Sequence, residues 1–205
     1  MSKNKTIIIV IVLVIAFMLI GLFFLPKNEI KIEHKDKVLS ISICYPIVKN
    51  KLIEKEIKSL VDKELVDFQA ALPKVSPNPD WKYELDISYK TYQKQSIKSF
   101  VFAIFTFPGG AHPMTRTITK TFDLKTSKIV KLADLFDKKQ ILPLIIKELE
   151  KRELPDKKWL KKGATDLSKF ALASRELIIY YDPYEVGPYS AGPQTVKLPL
   201  IHIKE

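Results

Sequence analysis

The sequence predicts an α+β fold: an antiparallel-rich sheet with two main helices packed on it, preceded by one N-terminal transmembrane helix. Three observations carry that expectation. Ile7 to Leu25 reads IIIVIVLVIAFMLIGLFFL, nineteen residues without a charge. Apolar residues recur at three- and four-residue spacing from Asn50 to Leu72, the mark of a helix with one buried face. Between Trp81 and Leu124 apolar and polar residues alternate instead, as on half-buried strands.

At about 1.5 Å per residue, the first run spans roughly the 30 Å of a bilayer core. A cleavable signal peptide has a shorter apolar core, roughly 7–15 residues, and a small-residue cleavage site. Here the run ends Phe23-Phe24-Leu25-Pro26, so an uncleaved anchor at 7–25 is expected, behind a short cytoplasmic tail at 1–6. Lys27, Lys31, Lys35 and Lys37 follow the span, against Lys3 and Lys5 before it. A bare count of these charges would keep the large part of the chain inside, although that rule weakens beside a long folded domain.

Residues 26–37 form a charged tether running into the first strand, Ile30 to Glu33, and a second strand is expected over Lys37 to Tyr45. In the helix that follows, Ile53, Ile57, Leu60, Val61, Leu65, Phe68 and Leu72 make the apolar stripe, and Asn50 is placed to cap it. Its charges are mixed rather than uniformly basic, which favours packing on a sheet over lying on a membrane. PKVSPNPD (Pro73 to Asp80) ends it. On the next strand Trp81, Tyr83, Leu85, Ile87 and Tyr89 share one face. Ser96 to Phe107 is apolar on both faces near its middle, as a central strand would be. Met114 to Leu124 carries a stripe of Thr115, Thr117, Thr119 and Thr121, read as β-propensity on a solvated face. A turn at Lys125-Thr126-Ser127 leads to a second helix, about Lys139 to Leu154, with Pro143 tolerable only near its first turn. Lys157 to Thr165 reads as a polar connection. A hairpin around Ser174-Arg175 joins Phe170–Ala173 to Glu176–Asp182, and a last strand runs from Thr195 to Ile203.

A chain of 205 residues suffices for one well-packed domain or two small ones. Without Lys3 and Lys5, 32 basic and 23 acidic residues remain, a net of +9. Such a surface favours anionic partners such as envelope polymers. It lacks the basic helix or aromatic signature of a nucleic-acid reader, so no nucleic-acid partner is expected. Cys44, the only cysteine, can form no internal disulfide and is expected to be a buried, inert thiol.

Signatures of chemistry are sparse. His34, His112 and His202 lack metal-ligand spacing, and no paired-cysteine, Gly-rich phosphate or nucleophile-elbow pattern occurs, so neither cofactor nor metal is expected. Asp123 and Asp182, at strand ends, could meet in space as an acid pair. Two loops stand out. PGGAHP (Pro108 to Pro113) is a hairpin connection in which Gly109 and Gly110 permit positive φ. His112 in it either contacts a ligand or bonds backbone to fix the loop. YYDPYEVGPYSAGPQTVKLP (Tyr180 to Pro199) holds four tyrosines and four prolines. Its prolines limit the entropy lost on ordering. Tyr184 and Tyr189 can bury their rings and aim their hydroxyls at backbone, or form a rigid recognition surface.

GGAHP, then FDLKTSKIVKLADLF, then YYDPYEVGPYSAGPQTVKLP resemble, in this order, the extracytoplasmic domain of RsiV-type anti-sigma factors, which also precedes the catalytic module of PdaC-type peptidoglycan deacetylases. The resemblance covers about Ile30 to Ile203 in two parts, 30–107 and 108–205. It departs at Pro113 and Ser127, where the family usually has glycine. RsiV-type proteins carry a sigma-binding segment before the span, for which Met1 to Thr6 is too short, and the deacetylases add a metal-dependent domain beyond the point where this chain ends. The resemblance therefore implies a membrane-anchored, non-catalytic module outside the cytoplasm. Its implied partner is a cell-envelope glycan such as peptidoglycan, an anionic envelope polymer, or a lysozyme-like protein. A basic lysozyme would be repelled by a net +9 domain, which favours the glycan. The alternative is an enzyme or enzyme accessory subunit acting on peptidoglycan or related envelope carbohydrate. The expected ligand-binding residues are Gly109, Gly110, His112, Asp182, Tyr184, Glu185 and Tyr189.

Overall fold

The computed structural model describes residues 29–73, 82–152 and 157–202. The expected anchor at 7–25, the tail before it, most of PKVSPNPD and Trp81 lie outside the described residues. Among the described residues no helix is long and apolar enough to cross a membrane.

Strands β1 (Glu29–Lys35) and β2 (Leu39–Pro46) form a hairpin, followed by helix α1 (Lys51–Ala71). Then come β3 (Tyr83–Lys94), β4 (Ile97–Phe107), β5 (Met114–Asp123) and the two-residue β6 (Lys128–Ile129). These six strands make one sheet in chain order. Every pairing in it is antiparallel except β2 with β3, because α1 carries the chain back to the same end of the sheet. Helices α2 (Lys138–Glu150) and α3 (Lys157–Gly163) precede β7 (Phe170–Leu172), β8 (Glu176–Tyr181) and β9 (Gln194–Pro199), a separate antiparallel sheet.

The α1 stripe behaves as its spacing requires. Ile53, Ile57, Leu60, Val61 and Phe68 are buried against Ile41, Ile43, Tyr83, Leu85, Ile87, Phe100, Phe102, Ile104 and Phe122 of the large sheet. Asn50 caps the helix, its side-chain oxygen accepting from the amides of Leu52 and Ile53. The same side chain donates to Ser127 Oγ at 2.6 Å and ties the helix start to the β5–β6 turn. Ser127 has φ of 60°, in the left-handed region that glycine occupies at lower cost, and its hydroxyl gains this partner. One charge sits on the buried stripe: Glu64, 3% exposed, accepts a hydrogen bond from Arg116 of β5. A carboxylate there is tolerable only because the guanidinium meets it.

The expected single sheet is in fact two, stacked. On β8, Leu177, Ile179 and Tyr181 face α2 and α3, packing with Ile141, Ile145, Leu149 and Leu160. Ile178 and Tyr180 face the large sheet, meeting Val101 and Tyr92. The helices therefore cover opposite outer faces of a sheet pair rather than one face of one sheet. All three clusters lie between Ile30 and Leu200, so residues 27–205 carry their own core.

This stacking also corrects the reading of the threonine stripe. Thr119 and Thr121 do not face solvent; with Ser99 of β4 they seat β7. Ser99 Oγ accepts from the Leu172 amide at 3.0 Å, and Thr119 Oγ1 from the Phe170 amide at 3.1 Å. Thr121 Oγ1 and Ser99 Oγ, both buried, lie 2.9 Å apart. Strand β7 is an edge strand; Ser99 and Thr119 take the amides that β8 leaves open, and Thr121 Oγ1 donates to the Phe170 carbonyl at 3.5 Å.

Other differences are local. Lys157–Gly163 is a helix rather than a connection, since Leu160 and Ala164, four residues apart, reach the second core. α2 ends at Glu150 with Pro143 inside it, and β9 stops at Pro199 in a one-turn 3-10 helix. Cys44 is half-buried rather than buried. Its thiol donates to Glu29 Oε2 at 3.5 Å, and burial, then that carboxylate, push its pKa up, which keeps it inert.

Replacing Ser99 by Ala leaves the Leu172 amide and the Thr121 hydroxyl short of a buried partner. Ser99→Ala is expected to cost about 1–3 kcal/mol, read as a lower urea midpoint at unchanged slope.

Candidate functional site

The two loops singled out in the sequence meet at one end of the molecule. In the β4–β5 loop, Gly109 and Gly110 have φ of 101° and 116°, values that side-chain-bearing residues rarely adopt. They turn the chain so that His112 stands exposed beside the β8–β9 loop. The His112 ring lies 4.1 Å, centroid to centroid, from Tyr189, and Tyr189 lies 5.7 Å from Tyr184. The Tyr189 hydroxyl donates to the Pro113 carbonyl at 2.8 Å, and His112 Nδ1 lies 3.0 Å from the same oxygen. The backbone-fixing role foreseen for Tyr189 and His112 is present, and the three rings stand next to one another as a ledge. Tyr184 is exposed as well, at 46%, with φ of 73°.

The ledge is held from below. Asp182 Oδ1 accepts from the Thr117 amide on the outer edge of β5 at 2.7 Å. Its Oδ2 accepts from Lys169 Nζ, which also donates to Glu185. Glu185 Oε2 in turn accepts from the Asp182 amide at 2.8 Å. One ammonium and two carboxylates thus clamp residues 182–185 to the large sheet. Burial alone would lower the pKa of Lys169, but its bonds to Asp182 and Glu185 outweigh it, and the net shift is upward. α3 adds two contacts. The Trp159 indole N–H donates to the Tyr184 carbonyl at 2.8 Å. Gly163 lies against the Glu185 carbonyl so closely that a Cβ there would come to 1.7 Å from the oxygen.

Of the seven expected residues, the structure gathers all at this end but divides their roles. Gly109 and Gly110 shape a turn, Asp182 and Glu185 belong to the clamp, and His112, Tyr184 and Tyr189 present surface. Asp123 does not join Asp182. It caps the turn after β5, accepting from the Lys125 amide, whereas Asp182 bonds Thr117, roughly 20 Å back along the strand. Sequence reasoning missed Lys169, Trp159 and Gly163. For the last two the available signal was the KKWLKKGA pattern, in which a tryptophan and a glycine interrupt lysines. Among the described residues no three His, Cys, Asp or Glu side chains converge as a metal site would require.

Two family models match separate stretches of the chain. Residues 32–115 match the family model described as deacetylase PdaC, and residues 133–200 match that of a protein family of unknown function, DUF3298. The chain is 28% identical over 183 residues to the peptidoglycan-N-acetylmuramic acid deacetylase PdaC of Bacillus subtilis. That match takes in 82% of this chain and 39% of the relative, so the chain spans about two fifths of that protein. It is 25% identical over 183 residues to the immunogenic protein MPT64 of Mycobacterium tuberculosis, across 78% of that protein. Crystal structures of DUF3298-family proteins share the fold. One from Bacteroides fragilis superposes with a TM-score of 0.61 at 17% identity, over 85% of this chain and 90% of that one. One from Pseudomonas aeruginosa gives 0.58 at 16% identity, over 88% and 94%. The chain thus combines a segment similar to PdaC with one that matches the DUF3298 model in one α+β fold.

The clamp and the tyrosines beside it set an alkaline limit on stability. Burial, then the charges of Asp166 and Glu185, push the Tyr181 phenol far above its usual value; its hydroxyl donates to the Ala164 carbonyl at 3.1 Å. Burial and then Tyr92 do the same to Tyr180. Groups whose folded pKa is raised contribute stability that is complete below the unfolded value, about 10 for Tyr and Lys, and lost as pH rises through the folded one. The urea midpoint should therefore fall above about pH 10, with tyrosinate absorbance appearing on unfolding, and Tyr181→Phe should flatten the fall. In Gly163→Ala the same loop must shift, which should cost stability and move the ring resonances of Tyr184.

Proposed function

We propose that the folded part of this chain is a non-catalytic binding module of the cell envelope, whose aromatic ledge takes a glycan of the peptidoglycan type. The observation that carries the reading is the ledge itself. His112, Tyr189 and Tyr184 come from loops more than seventy residues apart and stand side by side on a surface already locked by the Lys169 clamp. Sugar rings have flat C–H faces that pack on aromatic faces, and rings held in place lose little freedom on binding.

Kinship supports the envelope setting. The PdaC relative is by its name a deacetylase of peptidoglycan, and the PdaC-like segment here supplies β1 to β4 and the ledge's first loop. The apolar run 7–25 would anchor the module in the cell membrane, single-pass, with its C-terminal domain outside the cytoplasm. The net charge of +9 draws it toward anionic wall polymers and away from a basic lysozyme-like protein. Catalysis by the loop carboxylates is disfavoured, because Asp182 and Glu185 already share Lys169 and the backbone amides.

The test is retention of residues 27–205 on purified peptidoglycan, with immobilised lysozyme in parallel. Tyr184→Ala combined with Tyr189→Ala is expected to weaken retention about tenfold with an unchanged circular dichroism spectrum, and Tyr189→Phe to keep most of it. Retention on lysozyme alone would transfer the ledge to a protein partner; retention on neither removes the reading.

A further inference from the structure

We propose a second binding site, away from the ledge: the crevice between the outer edge of β5 and the one-turn helix Leu132–Asp134 holds the chain of a single-chain anionic amphiphile, its acid group facing Lys131. The crevice encloses about 390 Å³, within the range of pockets that hold small molecules. Its walls are apolar, formed chiefly by Ile129, Leu132, Phe136, Leu167 and Phe170. Three lysines, Lys120, Lys131 and Lys138, also line it, and no acidic side chain does. Lys120 lies 3.5 Å from Glu56, and Lys138 is spent on the Thr165 carbonyl at 2.7 Å. Lys131 is exposed and enters no ion pair among the described residues.

The backbone adds an unmet donor. On the outer edge of β5 the Thr117 amide is taken by Asp182 and the Thr121 carbonyl by the Val130 amide. Strand alternation puts the N–H and C=O of Thr119 on that same edge, between those two, where no protein group among the described residues meets them. Thr119 lines the crevice. An open peptide group and an unpaired lysine beside a half-open apolar groove match a ligand with one apolar chain and one acid group. A neutral or cationic chain would leave Lys131 without an acidic partner.

Decanoate is the probe, titrated into residues 27–205 below its aggregation concentration, with calorimetry and methyl resonances as readouts. Saturable one-site binding that shifts Ile129, Leu132 and Leu167 is expected. Lys131→Glu should weaken it about three- to tenfold. Ala133→Trp, at the exposed rim, should block it while the fold and peptidoglycan retention persist. Absence of saturable binding, equal affinity for decylamine, shifts scattered away from the crevice, or binding confined to anionic vesicles would each overturn the assignment. Because the ledge variants leave the crevice untouched, either site can fail without the other.

Discussion

The docking of β7 by three hydroxyls is the contact on which the rest of the molecule depends. β7 is only three residues long and pairs with β8 on one edge. Without Ser99 and Thr119, its two outward amides would be unpaired, at a cost of about 1–3 kcal/mol for the buried one at Leu172. With them, the small sheet is held against β4 and β5 in a fixed register, although the apolar cluster between the sheets is small. A purely greasy interface of that size would tolerate sliding; directed hydrogen bonds do not.

Register matters because both candidate sites straddle the two sheets. Lys169 immediately precedes β7, so the hydroxyl contacts that place β7 also place the ammonium under Asp182 and Glu185. The clamp then sets the loop at a height where Tyr189 can reach the Pro113 carbonyl and stack on His112. The crevice shares this dependence. One wall, Leu167 and Phe170, belongs to the approach to β7, and the other, Ile129 and Leu132, follows the β5–β6 turn.

Rigidity in the tyrosine-proline loop thus has two sources of different reach. The prolines act within the chain, narrowing the unfolded ensemble. The clamp, the Trp159 bond and the close approach of Gly163 act across it. A surface held by both can offer bare aromatic faces to a ligand without collapsing onto itself, which is unusual for a connection between two strands.

Periodicity alone determined the α+β class, the α1 stripe with its Asn50 cap, and the alternation of β3, β4 and β5, because burial on one face writes itself directly into residue spacing. It also marked the ledge, since glycine pairs and clustered tyrosines are local signals. What it could not determine was the partner of each face. A threonine stripe reads the same whether it meets water or a strand's amides, Glu64 on an apolar stripe has meaning only beside Arg116, and Asp182 and Glu185 look like ligand contacts until Lys169 arrives between them. Those outcomes rest on contacts between residues far apart in the chain, and only the packing of one sheet on the other brings them together.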